Sequence, residues 1–363
     1  MPLKKYYDQA YGWVNERIDV DGIIGFMRHK EVPISTHSIW YYFGGISLFL
    51  FLVQVTSGIL LLMYYRPGPE SSYESLQFLV SKVHFGWLVR DLHSWSANLM
   101  VLCVFIHMFS VFFMKSYRKP REMTWMSGMV LLGLCLGFGF SGYLLPWNEL
   151  SFFATKVGTD MAGSLPAVGD FIVRVIRGGP DVTGATLSRF FGIHVAVLPG
   201  IFTLVLAFHL FLLQRQGMSQ PLSWDKLPAG EKKTMPFFPN FVLRELMFWM
   251  FALAVINALA VFFPWELGVK ADPFASAPAG IKPEWYFMFM FQTLKFLPPT
   301  IGSIEGELVG LAVFSLGGLL WLTLPLWDRW TGTDAAKARY ISWIGVAIVG
   351  FIIVMTMIGY ALS

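Results

Sequence analysis

Residues 90–109 read RDLHSWSANLMVLCVFIHMF, an apolar run that carries His93 and His107 fourteen residues apart. An α-helix turns once every 3.6 residues. Fourteen residues therefore come close to four full turns, and the two imidazoles share one face about 21 Å apart along the axis. That separation approaches the thickness of a bilayer's hydrocarbon core. Histidine is costly in lipid, so an intramembrane histidine points to function. Residues 189–215, RFFGIHVAVLPGIFTLVLAFHLFLLQR, repeat the pattern with His194 and His209 fifteen apart. The extra residue gives a small rotation, which a local distortion of the helix is expected to absorb.

The rest of the chain agrees with a membrane setting. Of 363 residues, 55% are hydrophobic and 14% charged, against about 25% charged in soluble domains. Mean hydropathy is +0.57. Seven runs free of Asp, Glu, Lys and Arg are long enough to span: Ser38–Tyr65, Leu92–Met114, Trp125–Trp147, Phe190–Gln214, Leu246–Phe263, Leu308–Trp327 and Ile341–Leu362. The expected fold class is all-α transmembrane, a seven-helix bundle with four helices in an N-terminal part and three in a C-terminal part. The polar, Pro-rich stretch QGMSQPLSWDKLPAGEKKTMPFFPN marks the boundary, giving residues 1–227 and 228–363. Lys and Arg number 17 on the side of the N-terminus and 10 on the other. This bias places the N-terminus in the cytoplasm and the C-terminus outside. No removable signal peptide is expected, and nothing suggests a nucleic-acid partner. Cys103 and Cys135 sit inside apolar runs and read as small buried hydrophobes.

One helix separates the two histidine-bearing segments, so they run parallel. His93 then faces His194 near the outer surface, and His107 faces His209 near the inner one. Two neutral imidazoles without Cys or carboxylate suit a bis-histidine haem better than a tetrahedral zinc site, which wants two more ligands. Gly44 and Gly58 in the first run, and Gly128 and Gly142 in the third, are also fourteen apart. A glycine opposite each iron would let a flat macrocycle lie against bare backbone. Arg90, Arg118 and Arg121 are candidates to bind haem propionates. His29, His37 and His84 read as solvated or interfacial. Another di-haem membrane anchor, as in dehydrogenase or hydrogenase subunits, and a transporter with a histidine proton relay both stay open at this level.

Two loops are long. One contains VGDFIVRVIRGG (168–179), which fits a short interfacial helix. The other contains PAGIKPEWYFMFMFQTLKF (278–296), in which Glu284 is the one carboxylate of an apolar stretch.

The four histidines, SGYLLPWNE (141–149) and PEWYF (283–287) together resemble cytochrome b, the membrane core of quinol–cytochrome c oxidoreductases. RDLHSWSANLM, RKPREMTW, RQGMSQPL, the fifteen-residue spacing and the stop after the seventh run are most similar to the photosynthetic plastoquinol–plastocyanin reductase branch. Two departures stand out. That branch has separate polypeptides where this chain is one. It also has a Cys that anchors a third haem, where YYFGG (41–45) places Tyr42; a covalent third haem is therefore expected to be absent.

The resemblance implies two b-type haems, the outer on His93 and His194 and the inner on His107 and His209. It implies quinol oxidation on the outer side, with Glu284 as proton acceptor and Tyr143 and Tyr286 lining the pocket. It further implies a Rieske iron–sulfur protein, a c-type cytochrome, the quinone pool, a homodimer, and a bacterial inner membrane. Asp21, Arg28, His29 and Arg215 are candidates for an inner quinone site.

Overall fold

The computed structural model describes residues 2–35, 37–221, 224, 227–328 and 335–362. Two amphipathic helices, α1 (Pro2–Ile18) and α2 (Val20–His29), lead to a short strand β1 (Glu31–Pro33). The first spanning helix is α3 (Tyr42–Leu62), followed by the short α4 (Ser72–Lys82), then α5 (Gly86–Phe113) and α6 (Glu122–Tyr143). Helices α7 (Glu149–Gly163) and α8 (Gly169–Arg177) form the first long loop. A continuous span over Gly184–Gln216 comprises α9 (Gly184–Gly192), a π-helical turn (Ile193–Val197) and α10 (Leu198–Gln216). Strand β2 (Thr234–Pro236) precedes α11 (Val242–Phe262) and α12 (Trp285–Phe296). A two-residue hairpin, β3 (Thr300–Ile301) and β4 (Ile304–Glu305), leads to α13 (Gly306–Leu322), α14 (Leu324–Trp327) and α15 (Ala335–Ala361).

Among the described residues, six helices are long and apolar enough to cross a membrane. The expected run Leu308–Trp327 departs from the rest. It forms the 17-residue α13 and then breaks at Thr323. Pro325 in the first turn of α14 explains the break, because it lacks an N–H to continue the ladder. The other expected segments are present with shifted ends. The fourth is extended most, by α9 at its start, which takes in Arg189; the second begins early as well, at Gly86, and takes in Arg90 and Asp91.

One core unites both parts of the sequence. Leu50 and Phe51 of α3, Met100 and Val101 of α5, and Cys135 of α6 pack with Ile256 of α11 and Tyr286 of α12. Strand β1 pairs antiparallel with β2, with Val32 opposite Met235, which fastens the Pro-rich connection to the N-terminal segment. A second core, including Leu144, Trp147, Phe152, Leu187, Phe190 and Ala271, anchors the long loops at the His93/His194 end. Within it α8 exposes Phe171 and Val175. Arg177 is buried instead, donating to Thr159 Oγ1 and pairing with Asp160. This is the amphipathic character anticipated for 168–179.

Candidate functional site

Helices α5 and α10 with its preceding turn position the four histidines. His194 lies within the π-helical turn, where the Leu198 N–H donates to Ile193 O, five residues back. A π turn takes up one residue more than an α turn. The fifteen-residue spacing of His194 and His209 is thereby brought into register with the fourteen of His93 and His107. This is the distortion that the sequence calls for. The rings of His93 and His194 face each other 6.4 Å apart, inclined by 68°. At the other end, His107 and His209 are electrostatic neighbours. Among the described residues no cluster of three or more His, Cys, Asp or Glu forms a metal cage, as a two-ligand centre requires.

Each of the four glycines lies against one of the four histidines. A Cβ on Gly142 would lie 2.7 Å from His194 Cε1, and one on Gly44 2.9 Å from His107 Cε1. At Gly128 and Gly58 the corresponding distances, to His209 and His93, are 3.3 and 3.4 Å. Each glycine thus makes room for the edge of an imidazole, so that the ring stands upright between two helices. The residue before three of the glycines is a serine. Ser57 Oγ is 2.9 Å from His93 Nδ1, Ser141 Oγ 3.1 Å from His194 Nδ1, and Ser127 Oγ 3.0 Å from His209 Nδ1. These serines were missed from sequence, although the repeated Ser-Gly dipeptide was a visible signal.

A haem fits this donor set. A metal sits about 2 Å from a ligating imidazole nitrogen and each ring centre roughly 1 Å further back, so facing centroids need about 6 Å. The 6.4 Å observed for His93 and His194 matches. The serines occupy Nδ1, which leaves Nε2 for the metal.

The second group of residues lies where α12 begins. Glu284 is its N-cap. Burial raises the Glu284 carboxyl above its ordinary value. Tyr143, at the end of α6, and Tyr286 are its charge neighbours, and so is Tyr360 of α15. Tyr286 is buried with its hydroxyl pressed against Gly139 of α6, where no side chain could stand. Trp285 Nε1 donates to Asn98 Oδ1 of α5 at 2.9 Å, which orients the start of the helix. Tyr360 was missed because it is far away in sequence and no motif carries it. An apolar cavity of about 680 Å³ lies beside Trp285 and Tyr286 and extends past Phe109 and Ile352 to Tyr41 and His37.

Each of the three arginines has a protein partner. Arg90 donates to the carbonyls of Trp265 and Glu266 and lies 3.5 Å from Asp91. Arg118 pairs with Asp328 at 2.9 Å. Arg121 donates to Gln216 O, and burial lowers its pKa. Of the inner-site candidates, Asp21 accepts from Tyr11 and Asn15, and the His29 ring is bonded to Gly25 O. Both are exposed, as are Arg28 and Arg215. Tyr42 is buried and stacks on Phe241 with ring centres 4.9 Å apart.

Paired histidines at two depths of a spanning helical bundle define a multi-pass, all-helical membrane protein with two histidine clusters in its interior. Comparison with known proteins specifies the family. Residues 29–217 match the model "Cytochrome b/b6/petB", and residues 270–362 match "Cytochrome b(C-terminal)/b6/petD". The chain is 48% identical over 357 residues, 98% of its length and 81% of the relative's, to a cytochrome bc complex cytochrome b subunit from Chlorobaculum thiosulfatiphilum. It is 38% identical over 213 residues to a cytochrome b6 from Synechococcus sp. (strain RCC307), covering 59% of this chain and 97% of that one. A solved structure described as a hyperthermophilic respiratory Complex III superposes with a TM-score of 0.77 at 27% identity, over 96% of this chain and 98% of that one. The chain belongs to the cytochrome b family, with the N- and C-terminal regions fused in one multi-pass membrane polypeptide.

Proposed function

We propose that this chain is the di-haem cytochrome b subunit of a quinol:cytochrome c oxidoreductase in a bacterial inner membrane. The observation that carries the reading is the opposition of the His93 and His194 imidazoles, with centroids 6.4 Å apart, repeated in sequence by His107 and His209 about 21 Å away along the helix axis. Bound between these pairs, b-type haems supply one-electron redox chemistry at two depths of the bilayer. The chain's own residues hold the ligands upright, exclude water and manage protons at the outer side.

Glu284 is the proton acceptor of this scheme. Its raised carboxyl is closer to the operating pH, which favours general-base action toward a quinol hydroxyl. Tyr143 and Tyr286, the charge neighbours of Glu284, would fix the approach of the substrate ring. The apolar cavity beside Trp285 and Tyr286, which runs away from Glu284 toward Tyr41 and His37, is within the range of small-molecule sites. A Rieske protein and a c-type cytochrome act as electron acceptors, in a homodimeric complex with the N-terminus of this chain in the cytoplasm. No third haem is attached at Tyr42. Moving one charge against 100 mV takes about 2.3 kcal/mol, so electron passage between the two centres can store energy.

The test is turnover and haem content measured together. Glu284→Gln slows quinol oxidation and keeps both haems; unchanged turnover removes Glu284 from the mechanism.

A further inference from the structure

The serines facing the histidines do more than fill space. A hydroxyl has one hydrogen, and each of these spends it within its own helix. Ser57 donates to Val53 O at 2.6 Å, Ser141 to Gly137 O at 2.8 Å and Ser127 to Thr124 O at 3.0 Å. The oxygen that faces each imidazole can therefore only accept, and Nδ1 must carry the proton. The carbonyls of Gln54, Phe138 and Thr124 face the same three rings. His107 is different. Its Nδ1 is buried and has no hydrogen-bond partner among the described residues. The residue before its glycine is Phe43, whose ring stacks on Trp40.

We propose that Ser57, Ser141 and Ser127 are positioning residues that fix the metal-binding tautomer and raise the basicity of three ligands, and that His107 is a weaker donor for lack of such a serine. The two centres are then electronically unequal by construction: both ligands of the His93/His194 centre are reinforced, but only one of the His107/His209 centre. An acceptor on Nδ1–H strengthens a ligand and stabilises the oxidised metal. Removing a serine should therefore raise the midpoint potential of its own centre, and adding one should lower it. The inference rests on the haem assignment proposed above.

The experiment is a redox titration of the intact complex, resolving the two b-type centres, for wild type, Ser57→Ala, Ser57→Thr and Phe43→Ser. Ser57→Ala should shift the His93/His194 centre to higher potential and leave the other in place. Ser57→Thr keeps the hydroxyl and should restore the wild-type value. Phe43→Ser puts a hydroxyl at the matching offset before Gly44 and should lower the His107/His209 centre. Two retained haems with unmoved potentials in both Ser57→Ala and Phe43→Ser overturn the inference and leave the haem reading intact. Wild-type complex without two b-type centres overturns the haem reading itself. If Ser57→Ala fails to assemble, Phe43→Ser alone decides, by whether it shifts the His107/His209 centre downward.

Discussion

The imidazoles of His93 and His194, on different helices and 101 positions apart in the chain, stand opposite each other with centroids 6.4 Å apart and planes inclined by 68°. With histidines fourteen apart on one helix and fifteen on the other, a regular helix pair would bring one pair into register at the expense of the other. The π turn at Ile193–Val197 reconciles fifteen residues with fourteen. If this is the turn's role, deleting Ala196 should convert it to an α turn and preserve two haems per chain. Deleting one residue within α10 instead keeps the π turn and misaligns the pair, and should cost one haem. Equal haem contents in the two deletions would show that the turn does not set the register.

His93→Ala should remove one centre and spare the other. The reduced-minus-oxidised difference spectrum should fall to about half its haem b amplitude, because the His107/His209 pair lies some four helical turns away. Loss of both centres at once would mean that the two sites do not assemble independently.

The glycines should form a graded series. Alanine adds a Cβ 2.7 Å from the ring at Gly142 and 2.9 Å at Gly44, against 3.3 Å at Gly128 and 3.4 Å at Gly58. Overpacking typically costs about 1–3 kcal/mol. Gly142→Ala and Gly44→Ala should therefore lower thermal stability and haem retention clearly, with Gly58→Ala close to wild type. A reversed order would place the contact elsewhere.

Glu284 also fixes a pH dependence. Its carboxyl is raised by burial, and only the carboxylate accepts a proton. Quinol oxidation should therefore rise with pH through an ionisation above the ordinary glutamate range of about 4.3. In Glu284→Gln that ascending limb should disappear from the rate profile. An unchanged limb in the variant would assign the ionisation to another group.

Arg118 tests the alternative use of the arginines. Asp328 is buried, accepts from Tyr117 at 2.6 Å and pairs with Arg118. Breaking a buried pair costs about 3–5 kcal/mol. The exposure of Arg118 puts the expected loss for Asp328→Ala at the lower end. Reduced thermal stability with normal haem content is the expected outcome; haem loss with normal stability would return Arg118 to the haem.

What the sequence disclosed depended on the range of each signal. Histidine spacing is local and periodic, so the depth of both pairs and even the need for a helix distortion were readable. The glycine positions were readable too, but what each faces depends on how two helices are rotated, and spacing does not carry that. The serines lay within reach of the same periodic argument. Tyr360 did not, because tertiary packing alone brings α15 beside Glu284. The break in the run 308–327 has a local signal in Pro325, which the uninterrupted apolar composition of the run conceals.

Haem content per chain tests the account most directly. The purified complex, reduced with dithionite and quantified against this polypeptide, should contain two b-type haems with bis-imidazole spectra. Zero or one would contradict it.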